Sequence, residues 1–237
     1  MLRLSVSKLK TFEECPRKFK FNYLDKLGRL YHKDRPYLTM GENVHAVLKE
    51  IFTLPSEYRN QHMLENMLLQ KWEANRKGFK DKHEEEFYKE QALNQLRWFT
   101  QNFDLKAKPF MIEARVQRKF GEVLLEGVID RIDKEKGKAH LIDYKTGQIP
   151  SSLDPFPLYF YTLVMGESLS ISKLSYVYLK EGEIISWDWS LEDFYQAYLK
   201  IIELAYKISQ AKEFPANIGE HCKNCDFKEI CFRPGKP

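Results

Sequence analysis

Two aspartates and a lysine pose the first chemical question. Between Glu126 and Gly147 the chain reads EGVIDRIDKEKGKAHLIDYKTG. Asp130 closes one apolar run, Gly137 breaks the chain, and Asp143 closes the next run with Lys145 two positions on. Residues i and i+2 of a strand project to one face, so Asp143 and Lys145 point together; if the runs pair as a hairpin, Asp130 comes alongside Asp143. Two carboxylates at one end of a sheet offer hard oxygen ligands to Mg²⁺ or Mn²⁺. A lysine beside them stabilises negative charge or orients a metal-bound water. That set suits phosphodiester hydrolysis, because the metal polarises the phosphoryl oxygen and lowers the pKa of its water. The competing reading is a solvated hairpin, which describes Asp133, Lys134, Glu135 and Lys136. Asp143 stands instead within Leu141-Ile142-Asp143-Tyr144, and Asp130 follows Val128-Ile129, surroundings in which a charge usually has a reason. His45 and Glu113 are weaker candidates, since a lone helical histidine is most often structural and a strand glutamate most often faces solvent.

The cysteines make a second cluster. Cys222, Cys225 and Cys231 form C-x2-C-x5-C, and Cys15 lies 207 positions upstream of the first of them. Disulfides are disfavoured in a cytosolic chain, so the clustering points to metal. A four-cysteine zinc site normally draws on two C-x2-C pairs, and Cys15 has no such partner. An iron–sulfur cluster is also held by four thiolates and tolerates a remote one. Spacing leaves both open. Either would clip the C-terminal tail to the N-terminal helix and couple metal binding to folding.

The elements that must position these groups are legible in outline. The chain has 237 residues, 43% hydrophobic and 14% aromatic, which is ample for a packed core and excludes general disorder. The N-terminal half reads as helical: Ser7 as cap of a helix through Glu14, Pro16 opening another towards Leu24, a stretch from Met40 to Phe52, and amphipathic patterns over 57–77 and 81–103. After Pro109 the runs Phe110–Phe120, Val123–Ile132 and Lys138–Lys145 read as a strand meander broken at Gly121 and Gly137. A helix over Pro155–Met165, strands over Leu174–Leu179 and Glu183–Trp189, and a helix to about Ala211 capped by Ser190 with Asp193 complete the pattern. This predicts an α/β fold with a mixed sheet of about five strands. No linker composition interrupts it. A single domain over 1–237 is expected, with a mostly helical part at 1–105, an α/β core at 106–212 and a cysteine-bearing tail at 213–237.

Charge adds a partner class. Lys and Arg number 38 against 34 Asp and Glu, but residues 1–36 alone hold ten basic and four acidic side chains, interleaved with Phe12, Phe19, Phe21 and Tyr23. Such a segment, with Arg17, Lys18 and Lys20 at its centre, suits a nucleic-acid backbone, the alternative being a solvated helix face. No segment resembles a signal peptide, and no apolar run approaches the roughly 18 residues of a membrane helix, so a cytoplasmic protein without membrane contact is expected.

Together these pieces resemble the PD-(D/E)XK nucleases, and within them the RecB-like exonucleases with an iron–sulfur clip, a group that includes the AddB nuclease domain and CRISPR-associated exonucleases. Leu4-Ser5-Val6-Ser7-Lys8-Leu9 with Cys15-Pro16-Arg17-Lys18-Phe19 is similar to their N-terminal signature, and Gly41-Glu42-Asn43-Val44-His45 to their G-x-x-x-H motif. Gly127-Val128-Ile129-Asp130 and Asp143-Tyr144-Lys145-Thr146-Gly147 match the G-x-x-D and D-x-K segments. The resemblance implies that His45, Asp130 and Asp143 bind Mg²⁺ or Mn²⁺ with the Tyr144 carbonyl, that Lys145 acts on the nucleophilic water, and that Glu113 adds a carboxylate. It also implies a structural 4Fe–4S cluster on Cys15, Cys222, Cys225 and Cys231, and DNA, single-stranded or at ends, as substrate. One departure stands out: Tyr161 fills the last place of the family's Q-x-x-x-Y helix, but Pro157 stands where Gln belongs. A catalytically weakened DNA-end-binding module, working with a repair or CRISPR-adaptation protein partner, is therefore the alternative.

Overall fold

The computed structural model describes residues 1–231 and is built on a six-stranded mixed sheet. Its strands are β1 (Leu2–Leu4), β2 (Met111–Phe120), β3 (Val123–Glu135), β4 (Lys138–Lys145), β5 (Ile171–Tyr178) and β6 (Glu183–Asp188). β2, β3 and β4 form the expected antiparallel meander, β4 and β5 are parallel, and β5 and β6 are antiparallel. The β3–β4 turn is tight because Lys136 and Gly137 both take positive φ, 49° and 82°, the twist that suits a two-residue hairpin. Sequence patterning suggested about five strands. The sixth, β1, is too short to display a period and earns its place only by pairing in parallel with Val123–Leu125.

Pairing leaves a gap on β3. β2 follows one edge of β3 from Val123 to Ile132, so β1 at Val123–Leu125 and β4 at Arg131–Glu135 must share the other edge. Between them, residues 126–130 have no strand beside them on that edge. Both strands also twist over at this point. Ala114 and Ile129 are paired, as are Ile112 and Arg131, but Glu113 and Asp130 between them are not. Ala114 and Ile129 belong to one core, whereas Ile112 joins the other and Arg131 lies over Phe52 of that other core. The sheet thus exchanges faces at Glu113 and Asp130.

The helices are α1 (Val6–Glu14), α2 (Pro16–Phe19), α3 (Gly28–Tyr31), α4 (Pro36–Ile51), α5 (Gln61–Ala74), α6 (Lys82–Asn102), α7 (Phe156–Met165), α8 (Leu191–Gln210) and α9 (Lys228–Cys231). A π-helical turn over Lys20–Leu24 continues α2. Ser5, not Ser7, caps α1: it is extended as it leaves β1, and its hydroxyl accepts from the Lys8 N–H. α5 is shorter than its apolar pattern, because Asn60 caps it by accepting from Met63 N–H and Ser56–Tyr58 turn separately before it. Asp81 and Ser190 cap α6 and α8 in the same way. On one face of the sheet α4, α5 and α6 bury Val47, Leu68, Trp72 and Phe99 against Ile142, Tyr144 and Val177. On the other, α1, α7 and α8 bury Leu9, Phe160 and Ile201 against Leu125, Ile129 and Leu174.

The tail expected to be irregular contains a 3-10 turn over Glu220–Asn224 and α9, while 232–237 lie outside the described residues. It is held by Phe227, buried against Phe21 and Tyr31, and by Arg35, which donates to Asp226 and to the Asn224 carbonyl. Among the described residues no helix is long and apolar enough to cross a membrane.

Candidate active site

A glycine brings α4 to the sheet. A Cβ on Gly41 would stand 2.9 Å from Thr146 Oγ1, so the helix lies close against the end of β4 and a larger residue here would have to displace the Thr146 hydroxyl. One turn on, His45 Nδ1 reaches 3.3 Å from Asp130 Oδ1, and a further turn on Lys49 Nζ stands 3.8 Å from Glu113. Donor atoms of His45, Glu113 and Asp130 all lie within 4.8 Å of one another. Glu113 reaches this point from a backbone with φ 49°, a region that side-chain-bearing residues seldom enter. Strain of this kind persists where surrounding structure enforces it, and here it coincides with three potential ligands. In the sequence Glu113 has the pattern of a solvent-facing strand residue; the bend that redirects it is a tertiary feature.

Asp130 uses the bare edge of β3. Its Oδ2 accepts the Tyr144 N–H at 2.7 Å, replacing the ladder bond that the interrupted pairing leaves open. Tyr144 therefore meets the site through its main chain, while its ring is buried against Phe99. Asp143 is 8% exposed and pairs with Lys145 Nζ at 2.6 Å. Burial pushes the Asp143 carboxyl up; Lys145 opposes this, the Asp130 charge adds to it, and the pKa stays raised. For His45, burial works against the imidazolium, but the hydrogen bond and charge of Asp130, with Asp143 behind, more than offset it and lift the pKa. His45 thus shares its field with both aspartates, although the tight trio is His45, Glu113 and Asp130, with Asp143 turned to Lys145.

Tyr161 of α7 lies directly on Gly127, whose absent Cβ would fall 2.6 Å from ring atom Cε1. Burial raises its hydroxyl pKa, with the charges of Asp143 and Asp130 adding to the effect. Pro157 is buried in the first turn of α7, where its missing N–H costs nothing, and it has no amide to offer the site. Two neighbours escaped the sequence reading. Arg131 is 4% exposed, donates to Asp133 Oδ1 at 2.8 Å, and lies over the rings of Phe52 and Phe103. Gln95, buried on α6, donates to the Thr146 carbonyl at 3.2 Å and anchors the chain just after Lys145. An arginine between Ile129 and Ile132 was the available signal for the first; the second had none.

All four cysteines line one cavity, together with Arg17 and Lys18. Cys15 is 6% exposed at the end of α1, and Asn217 of the tail donates its N–H to the Cys15 sulfur at 3.5 Å. Burial raises the Cys225 thiol pKa. Four cysteines lining one space beside Arg17 and Lys18 are the residue types a thiolate-held metal centre needs, although among the described residues no three of their sulfurs come within 4.8 Å of one another. Of the basic residues assigned to phosphate contact, Arg17 donates to the Cys231 carbonyl at 3.5 Å, Lys18 pairs with Glu14 at 2.6 Å, and Lys20 pairs with Asp25 at 2.8 Å.

The profile of the PD-(D/E)XK nuclease superfamily matches residues 3–232. No curated protein sequence gives a significant match. The crystal structure of SSO0001 aligns with a TM-score of 0.44 at 16% identity, over 100% of this chain and 88% of that one.

Proposed function

The chain belongs to the PD-(D/E)XK nuclease superfamily, and we propose that within it this protein is a RecB-like exonuclease on single-stranded DNA or DNA ends. On this reading residues 1–237 are one domain, the activity needs Mg²⁺ or Mn²⁺, and a 4Fe–4S cluster on the four cysteines is structural. The observation that carries the reading is the convergence of His45, Glu113 and Asp130 within 4.8 Å at an unpaired sheet edge. Carboxylate oxygens with one imidazole are a donor set for such cations. His45, Asp130 and Asp143 would hold the cation, with Glu113 and the Tyr144 carbonyl completing the set. When bound, the cation supplies polarisation of the scissile phosphoryl group and a water of lowered pKa. Lys145, held on Asp143 in its absence, has an ammonium to offer to the attacking water or to developing phosphoryl charge. The cysteines would tie the tail to α1 and so fix the N-terminal helices against the core.

The test uses an end-labelled single strand and a circular single strand, each with Mg²⁺ or Mn²⁺ and with EDTA. Shortening of the linear strand alone supports an exonuclease, and cutting of the circle turns the assignment to an endonuclease. Anaerobically purified protein should be brown and absorb near about 400 nm; a colourless protein with one zinc would keep the clip and reject the cluster. A second reading rests on Pro157, buried where the family helix carries Gln. It is a DNA-end-binding module with a weakened site, acting beside a repair or CRISPR-adaptation protein. Tight binding of DNA ends without cleavage would favour it.

A further inference from the structure

The bare stretch of β3 opens into a groove that the metal ligands only begin to account for. On β2, Arg115 and Gln117 follow Glu113 at two-residue steps; on β3, Val128 and Glu126 precede Asp130 at the same steps. Arg115 is paired with Val128, and Gln117 with Glu126. These pairs form successive rows leading away from the His45–Glu113–Asp130 trio, about 6.7 Å per row. The three helices that cover the upper part of this face do not reach these rows: Arg115 and Gln117 are exposed, and Val128 is 40% exposed. With Ser5 and Ser7 at the start of α1 as one wall, the rows enclose a groove of about 620 Å³.

We propose that this groove is the seat of a single nucleic-acid strand, leading its backbone from the carboxylates along the β2–β3 ribbon. The inference rests on the nuclease reading above and supplies its substrate path. Charge supports it: Glu126 is covered by Arg3 at 2.6 Å and Lys8 at 3.6 Å, and Arg115 adds a third cation. Among the described residues the Arg115 guanidinium has no hydrogen-bond or ion-pair partner, so it is free to take a phosphate in bidentate fashion. Val128 gives the groove an apolar floor, and the Tyr161 ring lines it at the bare edge from the other face of β3, where it packs on Gly127. The row spacing is close to that of successive phosphates in an extended strand. A ribbon two strands wide, with about 5 Å between strands, seats one such backbone and not a duplex. Tyr161 lines the groove and packs on Gly127, three residues before Asp130.

The test is anisotropy titration of a fluorescent dT12 strand in EDTA, over a range of salt, with wild type, Arg115→Gln, Val128→Asp and the distant control Lys212→Gln. Arg115→Gln should bind three- to tenfold more weakly and lower the salt slope by about 0.7, the loss of one phosphate contact. Val128→Asp, which puts a carboxylate on the floor, should weaken binding at least about tenfold. Lys212→Gln should bind as wild type. Both groove residues are exposed, and unchanged Mn²⁺ affinity and circular dichroism will show that the site and fold persist. If both variants bind dT12 as wild type does, while wild type binds and cuts single strands, the groove is not the path and the nuclease reading stands. If wild type neither binds nor cuts any nucleic acid, the nuclease reading fails and the path with it.

Discussion

Substituting Gly127 by Ala tests the packing between the sheet and α7 without touching any metal ligand. The added Cβ would lie 2.6 Å from Tyr161 Cε1 and 3.1 Å from Cδ1, against 3.4 Å for the lower limit of ordinary contact. The ring edge must retreat by about 0.8 Å, by a turn of the ring, which carries both atoms together, or by a displacement of its helix. Its helix is buried along most of its length, with Leu158, Tyr159 and Phe160 all at 1% exposure or less, so the shift must be passed to the core. Overpacking of this sort costs about 1–3 kcal/mol. With a urea m-value of about 2–3 kcal/mol/M, a loss of 2 kcal/mol lowers the unfolding midpoint by roughly 0.7–1 M. Tyr161→Ala alone should also destabilise, by about 2–3 kcal/mol for a large, partly buried ring. The double variant is the decisive measurement. With no ring to meet, the alanine should cost little, and the two effects should fall short of additivity by about 1–3 kcal/mol. Strict additivity, or a wild-type midpoint for Gly127→Ala, would refute the close approach. The single variant should also lose cleavage rate while keeping its Mn²⁺ affinity, since Tyr161 lines the bare β3 edge beside the site without belonging to the trio.

Other consequences are open to direct measurement. Asp130→Asn keeps an oxygen to accept the Tyr144 N–H but removes the charge, so the fold should survive while calorimetric Mn²⁺ binding is lost; undiminished binding would remove Asp130 from the ligand set. Asp143→Ala should cut the cleavage rate by at least about two orders of magnitude, comparable to losing one transition-state electrostatic contact. In Lys145→Met, the ammonium that opposes the rise of the Asp143 pKa is gone, so this carboxyl protonates at higher pH and Mn²⁺ affinity should fail at higher pH than in wild type. Identical pH profiles for the two proteins would uncouple Lys145 from Asp143. His140 is a stability probe away from the site: burial, then Lys173, lowers its pKa to about 4 from 6.5. Between those values the unfolded chain binds a proton that the folded chain refuses, so stability falls on acidification across that window, by about 1–2 kcal/mol after allowing for the ring's partial exposure. His140→Gln should flatten that part of the stability curve relative to wild type, and an unchanged curve would argue against the burial of the ring.

How the sequence divides its information is clear at particular residues. Alternating and helical apolar patterns, with Gly121 and Gly137 between them and Asp81 and Ser190 before their helices, are local signals. They located the meander, α6 and α8 because pleat, turn and cap are each settled by a few neighbouring residues. The Asp130, Asp143 and Lys145 spacing was legible for the same reason: a hairpin turn brings its own flanks together. Other features required contacts far apart in sequence. Leu2–Leu4 becomes a strand only against Val123–Leu125, and Ser5 becomes the α1 cap only because β1 ends there. Glu113 has the pattern of a surface residue, and only the exchange of faces at Asp130 turns it towards His45. Arg131 is buried by rings of the residues that follow α4 and α6, which no window around it reveals. The cysteines announced a shared site by type and spacing, but their common cavity exists because Phe227 docks the tail between Phe21 and Tyr31. Composition and spacing thus determined which chemistry the chain could perform. The gap in β3 decided where, because it is the joint product of three strands competing for two edges, and no single strand encodes it.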